Sequence, residues 1–184
     1  MVDAPEGMAD WLRGQGARVD ALLLTHQHFD HVMDAAAIRE EHGCPVCAFA
    51  PFSRELTLEA LFGMATGMAV MVPEFPVDEV LEGREMLEAC GLSWRLLHVP
   101  GHSPDSVCFL EQAHGILLGG DVLFLDGVGR TDFPGGSTEM LITGIQEKLL
   151  PLPDETRVFP GHGDPTTIGR EREENPFEFD ALTA

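Results

Sequence analysis

The segment Thr25-His26-Gln27-His28-Phe29-Asp30-His31 packs imidazoles and a carboxylate into one short stretch. Side chains two apart on an extended backbone point the same way, so His26 and His28 can face one cation. Asp30 and His31 follow on the turn into a helix, where they can face a second position. Without a cation to organise them, groups this close would repel and desolvate one another. His102, Asp121 and His162 each lie beside a glycine, and each comes just after a predicted strand, so all can converge on one end of a sheet stack. A lone histidine in such a place is ordinarily a surface or satisfied core residue. It is the clustering at His26–His31 that makes metal binding the chemistry to expect. With imidazoles and carboxylates but no thiolate, the set suits zinc, iron or manganese and argues against copper(I) or an iron–sulfur cluster.

The elements that must hold these groups follow from periodicity and punctuation. A helix is expected over Asp3–Gly16, with Met8, Trp11 and Leu12 on one face and Gly14 and Gly16 ending it. Val19–Leu24 reads as a strand; its unalternating apolar run is the mark of a strand covered on both faces, and it runs directly into the histidine segment. One helix then continues to about Glu41, stopped by Gly43, and Val46–Ala50 returns as a strand. Pro51 to Pro76 is rich in methionine and predicts one or two helices; the functional reading is a lid over a site, the plain one core filler. Glu85–Ala89 with Ser93–His98 reads as a hairpin, and Ser106–Leu110 with Ile116–Leu118 as a further pair turning at His114-Gly115. A Gly/Asp-rich loop over Asp121–Ser137, a helix over Thr138–Leu150 and a strand at Arg157–Phe159 complete the pattern.

Composition narrows the class. The chain has 184 residues, 44% of them hydrophobic and 23% charged, which suits one folded domain over residues 1–184. Eleven Lys+Arg against 31 Asp+Glu give a formal charge of -20, which repels phosphate backbones and anionic lipid, so neither nucleic acid nor membrane is an expected partner. No basic n-region precedes an apolar h-region at Met1-Val2-Asp3, so the cytoplasm is the expected compartment. Cys44, Cys47, Cys90 and Cys108 are too scattered for a disulfide scaffold. Cys44-Pro45-Val46-Cys47 has redox-motif spacing but precedes a strand instead of opening a helix, and reads as structural.

At its histidine segments the sequence resembles the metallo-β-lactamase superfamily, most closely its glyoxalase II-like hydrolases. The resemblance is carried by Thr25–His31, Pro100-Gly101-His102-Ser103-Pro104-Asp105-Ser106, Gly120-Asp121-Val122-Leu123-Phe124, Gly129-Arg130-Thr131-Asp132-Phe133 and Phe159-Pro160-Gly161-His162-Gly163 continuing into Thr166-Thr167-Ile168-Gly169. It implies an α/β chain folded as an αβ/βα sandwich, with His26, His28 and His102 on one metal, Asp30, His31 and His162 on another, and Asp121 and a hydroxide bridging them. Two divalent ions are implied, zinc first, with iron or manganese as alternatives. Such a pair lowers the pKa of a shared water and polarises the carbonyl under attack. A thioester is the natural small-molecule substrate, because its thiol, with a pKa of about 8.5, can leave as thiolate without a strong general acid. The expected activity is thus hydrolysis of a small thioester of the hydroxyacylglutathione type, with Asp30 holding or accepting the proton of the attacking water.

The sequence also departs from the family. Members open with two or three strands ahead of the segment equivalent to Val2-Asp3, so the chain is expected to lack the usual N-terminal strands and to expose a sheet edge near Val19–Leu24. Met33-Asp34 replaces small glycines, and no helical glutathione-gripping region follows Asn175-Pro176-Phe177. The absence of Tyr disfavours lactonases that place one over the substrate carbonyl. The rival reading is a persulfide dioxygenase of the same fold, with a single iron on His102, Asp121 and either His28 or His26. Arg130, Thr131 and Asp132 could contact substrate or brace their loop, and bracing is the expectation.

Overall fold

Residues 1–177 are described by a computed structural model, in which contacts group the chain into an N-terminal unit, Met1–Gly83, and a C-terminal unit from Arg84 onward. Among the described residues no helix is long and apolar enough to cross a membrane.

The N-terminal unit is built around a small parallel sheet. Strand β1 (Leu22–Leu23) pairs with β2 (Val46–Ala48), and β2 with β3 (Glu79–Val80). The strand expected over Val19–Leu24 thus shrinks to two laddered residues, although Val19, Ala21 and Leu24 are buried as its apolar run requires. The other flank of β1 carries Val2, which bridges Leu23, with the Asp3 amide donating to the Leu23 carbonyl at 2.9 Å. The edge expected at β1 is therefore covered by the first residues of the chain.

Helix α1 (Met8–Gln15) begins later than expected, because Asp3 takes φ 53° and Gly7 φ 85°, both outside helical backbone. Its apolar face is also narrower: Ala9 and Leu12 are buried while Trp11 is 57% exposed. The single helix expected after the histidines divides into α2 (Phe29–Val32) and α3 (Ala35–His42). At the break the Asp34 amide donates to the Ala4 carbonyl and its carboxylate accepts from the Ala9 amide, each at 2.9 Å. The methionine-rich stretch forms α4 (Arg54–Thr57) and α5 (Glu59–Thr66). Met64, Met68 and Met71 are exposed, so they are not core filler.

The C-terminal unit is a six-stranded sheet. A two-residue turn at Cys90-Gly91, both at positive φ, joins β4 (Met86–Ala89) to β5 (Leu92–His98). Strands β6 (Val107–Glu111) and β7 (Ile116–Gly120) continue the antiparallel run. Within the expected loop lies an unforeseen hairpin, β8 (Leu123–Phe124) and β9 (Gly127–Val128). Helix α6 (Thr138–Gly144), capped by Ser137, widens into a π-helical turn at Ile145–Leu149 instead of running straight to Leu150. Strand β10 (Arg157–Pro160) pairs parallel with β7, and β11 (Thr166–Thr167) and α7 (Ile168–Glu174) follow, giving the order β11-β10-β7-β6-β5-β4. Leu97, Val99, Cys108, Leu117, Leu141, Ile145, Val158 and Ile168 form the core against this sheet.

Candidate metal centre

The histidine segment of the N-terminal unit splits by alternation. His26, His28 and His31 are all buried, with the His26 ring 4.5 Å from that of His28 and 4.1 Å from that of His31. The intervening residues grip the scaffold. The Gln27 amide donates to the Ala50 and Pro51 carbonyls and accepts from the Ser53 amide, each at 3.1 Å, while the Phe29 ring packs on Phe62 of α5 at 4.6 Å. The segment's polar face is thereby fixed by what its other face holds. Asp30 is more open, 41% exposed, with a carboxylate oxygen 3.9 Å from His31 Nε2.

Asp3 orients two of these imidazoles. Its Oδ1 accepts from the Thr25 amide and its Oδ2 from the Thr25 hydroxyl, both at 2.8 Å. With its proton committed to Asp3, the Thr25 oxygen accepts from His26 Nδ1 at 3.1 Å. Asp3 Oδ2 also accepts directly from His31 Nδ1 at 2.9 Å. In both rings the Nδ1 proton leaves the lone pair on Nε2, the form in which a neutral imidazole binds a metal. The sequence pattern places Asp3 at a helix start and gives no sign of this role, because its partners lie far along the chain and no local pattern marks it.

The C-terminal unit assembles a second group. His102 follows β5 on a tight turn, Asp121 leaves the end of β7, and His162 comes just after β10. A single carboxylate oxygen, Asp121 Oδ2, lies 3.6 Å from His102 Nε2 and 3.6 Å from His162 Nε2. His102 and Asp121 are buried, whereas the His162 side chain is 57% exposed. His102 Nδ1 donates to the Arg130 carbonyl at 2.8 Å, again leaving the lone pair on Nε2. Glycine is needed where these backbones meet: a Cβ on Gly129 would lie 2.0 Å from the Asp121 carbonyl oxygen, and one on Gly101, at φ 137°, 2.5 Å from the Leu141 amide nitrogen.

Arg130 and Asp132 pair with one another within their exposed loop. The guanidinium donates to both carboxylate oxygens, at 2.7 and 2.6 Å, and lies 4.2 Å over the Phe133 ring. These bonds hold the Asp132 carboxyl down to a pKa of about 2. The remaining histidines serve structure: His42 Nδ1 accepts from the Val19 amide, His98 Nε2 donates to the Pro104 carbonyl, and His114 pairs with Glu111 across the β6–β7 turn.

Every sequence-derived donor thus falls in one of two groups, His26, His28, Asp30 and His31 in the first unit and His102, Asp121 and His162 in the second. Imidazoles, three of them (His26, His31 and His102) buried with the Nδ1 proton committed, together with carboxylate oxygens and no sulfur, fit zinc and similar divalent ions.

Residues 3–162 match the model of the metallo-beta-lactamase superfamily. The hydroxyacylglutathione hydrolase GloC of Haemophilus influenzae is 40% identical over 85% of this chain and 74% of its own length. Among solved structures, the BLEG-1 B3 metallo-beta-lactamase is 34% identical, with a TM-score of 0.83 over 100% of this chain and 88% of that one. TTHA1623, in a di-iron-bound form, is 37% identical, with a TM-score of 0.78 over 96% and 87%.

Proposed function

The chain belongs to the metallo-beta-lactamase superfamily, and from that membership we propose that it is a hydrolase of small thioesters of the hydroxyacylglutathione type that works with two divalent ions. In this reading His26, His28 and His102 serve one ion, Asp30, His31 and His162 the other, and Asp121 is shared. The observation that carries it is the equal 3.6 Å approach of His102 and His162 to one oxygen of Asp121. Two ligands at about 2.1 Å from a tetrahedral ion sit about 3.4 Å apart, so this oxygen has ligand-to-ligand spacing to both imidazoles.

When bound, the two ions supply a nucleophile at neutral pH from a shared water and polarise the carbonyl it attacks. The chain's own residues do the rest. Asp3, through Thr25 and directly, keeps His26 and His31 in the donor tautomer, and the Arg130 carbonyl does so for His102. Asp30, partly open to solvent beside His31, would take the proton of the attacking water. A thiolate leaving group needs no strong acid.

The likeness to GloC supports a thioester, that to BLEG-1 makes a β-lactam the first competing substrate, and the di-iron neighbour makes iron the first alternative to zinc. The test offers zinc-loaded protein, without oxygen, a hydroxyacylglutathione and a cephalosporin, and then offers iron-loaded protein glutathione persulfide with oxygen. Thioester hydrolysis that ignores oxygen and exceeds the other turnovers is the expected result. Iron-dependent oxygen uptake with the persulfide, above any thioester turnover, would replace the hydrolase with a dioxygenase.

A further inference from the structure

We propose that Glu171 is a positioning residue for the donors of the C-terminal unit, a buried carboxylate that ties the hairpin between Asp121 and Arg130 to the strand following His162. The inference rests on the metal-donor roles proposed above for His102, Asp121 and His162, and not on the identity of the substrate.

Glu171 on α7 is 0% exposed. A carboxylate in that position is costly unless every lone pair is used, and here each oxygen is claimed. Oε1 accepts from the Thr166 hydroxyl at 2.5 Å and from Arg170 Nη1 at 2.8 Å. Oε2 accepts from the Asp126 amide at 3.0 Å and from Asn175 Nδ2 at 2.7 Å. The same neighbours reach onward to the tip of the β8–β9 hairpin: Arg170 Nη1 pairs with the Asp126 carboxylate at 2.8 Å, and Asn175 Nδ2 donates to the Gly127 carbonyl at 3.1 Å. The tip needs this grip, because Asp126 is held at φ 59° in a two-residue turn between very short strands.

What the hairpin spans gives the grip its purpose. Asp121 lies just before it, separated only by Val122. Gly129 and Arg130 lie immediately after, and the Arg130 carbonyl fixes the His102 ring. The other oxygen of Glu171 holds Thr166 in β11, which pairs with β10 through Val158, and His162 lies on the connection between those strands. One carboxylate thus braces the supports of all three donors without touching any of them. Buried ion pairs are weak sources of stability compared with apolar packing, and their best-attested use is to fix register.

The test measures zinc affinity by chelator competition at a temperature well below every melting point, so that global unfolding does not limit binding. Glu171→Ala and Asn175→Ala are expected to bind zinc about tenfold more weakly than wild type, the lower end of what disturbing a ligand's support costs, and Glu171→Gln to fall between. Leu87→Ala, in β4 at the opposite edge of the sheet, is the control: it should lower the melting temperature while leaving zinc affinity unchanged. If Glu171→Ala does not fold, Asn175→Ala and Glu171→Gln carry the comparison. Wild-type zinc affinity in the Glu171 and Asn175 variants, or an equal loss in Leu87→Ala, would overturn the inference. Wild-type protein that binds no zinc would instead overturn the donor assignment beneath it.

Discussion

Asp3 acts on two donor imidazoles at once, directly on His31 and through the Thr25 hydroxyl on His26. Removing it should release both rings to the wrong tautomer and strip buried donors of their acceptor. Asp3→Ala is therefore expected to weaken zinc binding about 10- to 100-fold and to lower apoprotein stability by about 2 kcal/mol, measured by chelator competition and by urea melts without metal. Unchanged affinity would show that the rings are oriented by other means. The candidate donors were legible in the sequence because their types are crowded at His26–His31 or lie beside glycines after strands. Asp3 was not, since its contacts to Thr25 and His31 span 22 and 28 positions.

Asp78 shows how a side chain outside any motif fastens elements of the N-terminal unit. It accepts from Arg39 Nε of α3 at 2.9 Å, from Arg39 Nη2 at 2.8 Å and from the Val46 amide of β2 at 2.9 Å. The Arg39 bonds first, then the Val46 amide, lower its pKa to about 2. A folded-state pKa below the unfolded value of about 3.9 gives stability that is fully present above that value and is lost as pH falls through about 2. Thermal melts of wild type and Asp78→Asn should differ by a constant amount from neutral pH to about 5 and converge towards pH 2; a gap that persists there would remove the linkage. Elements with strong periodicity, such as the β4–β5 hairpin and β6–β7, were legible for local reasons. The β8–β9 hairpin was hidden because its strands are two residues each and its turn is held by α7 from across the chain. The break at Met33-Asp34 was hidden because its partners, Ala4 and Ala9, are distant in sequence.

For the molecule as a whole, burial decides thiol chemistry. Cys44, Cys47 and Cys108 are buried and Cys90 is exposed. Desolvation pushes the Cys108 thiol up to about 12, so it stays protonated and unreactive at any working pH. Alkylation of native protein near pH 8, read by mass spectrometry, should modify Cys90 alone, and unfolding should expose the rest; native labelling of Cys44 or Cys47 would contradict the burial of that spacing. At the same scale the formal charge of -20 favours uptake of cations, and the proposed donor groups would hold two of them. The direct measurement is a zinc titration of apoprotein with anaerobic thioester turnover followed at each step. Turnover that rises until about two ions per chain are bound is the expected result, since His26, His28, Asp30, His31, His102, Asp121 and His162 are more donors than one ion uses while leaving a position open. Full turnover at one ion, with nothing gained from a second, would overturn the two-ion assignment.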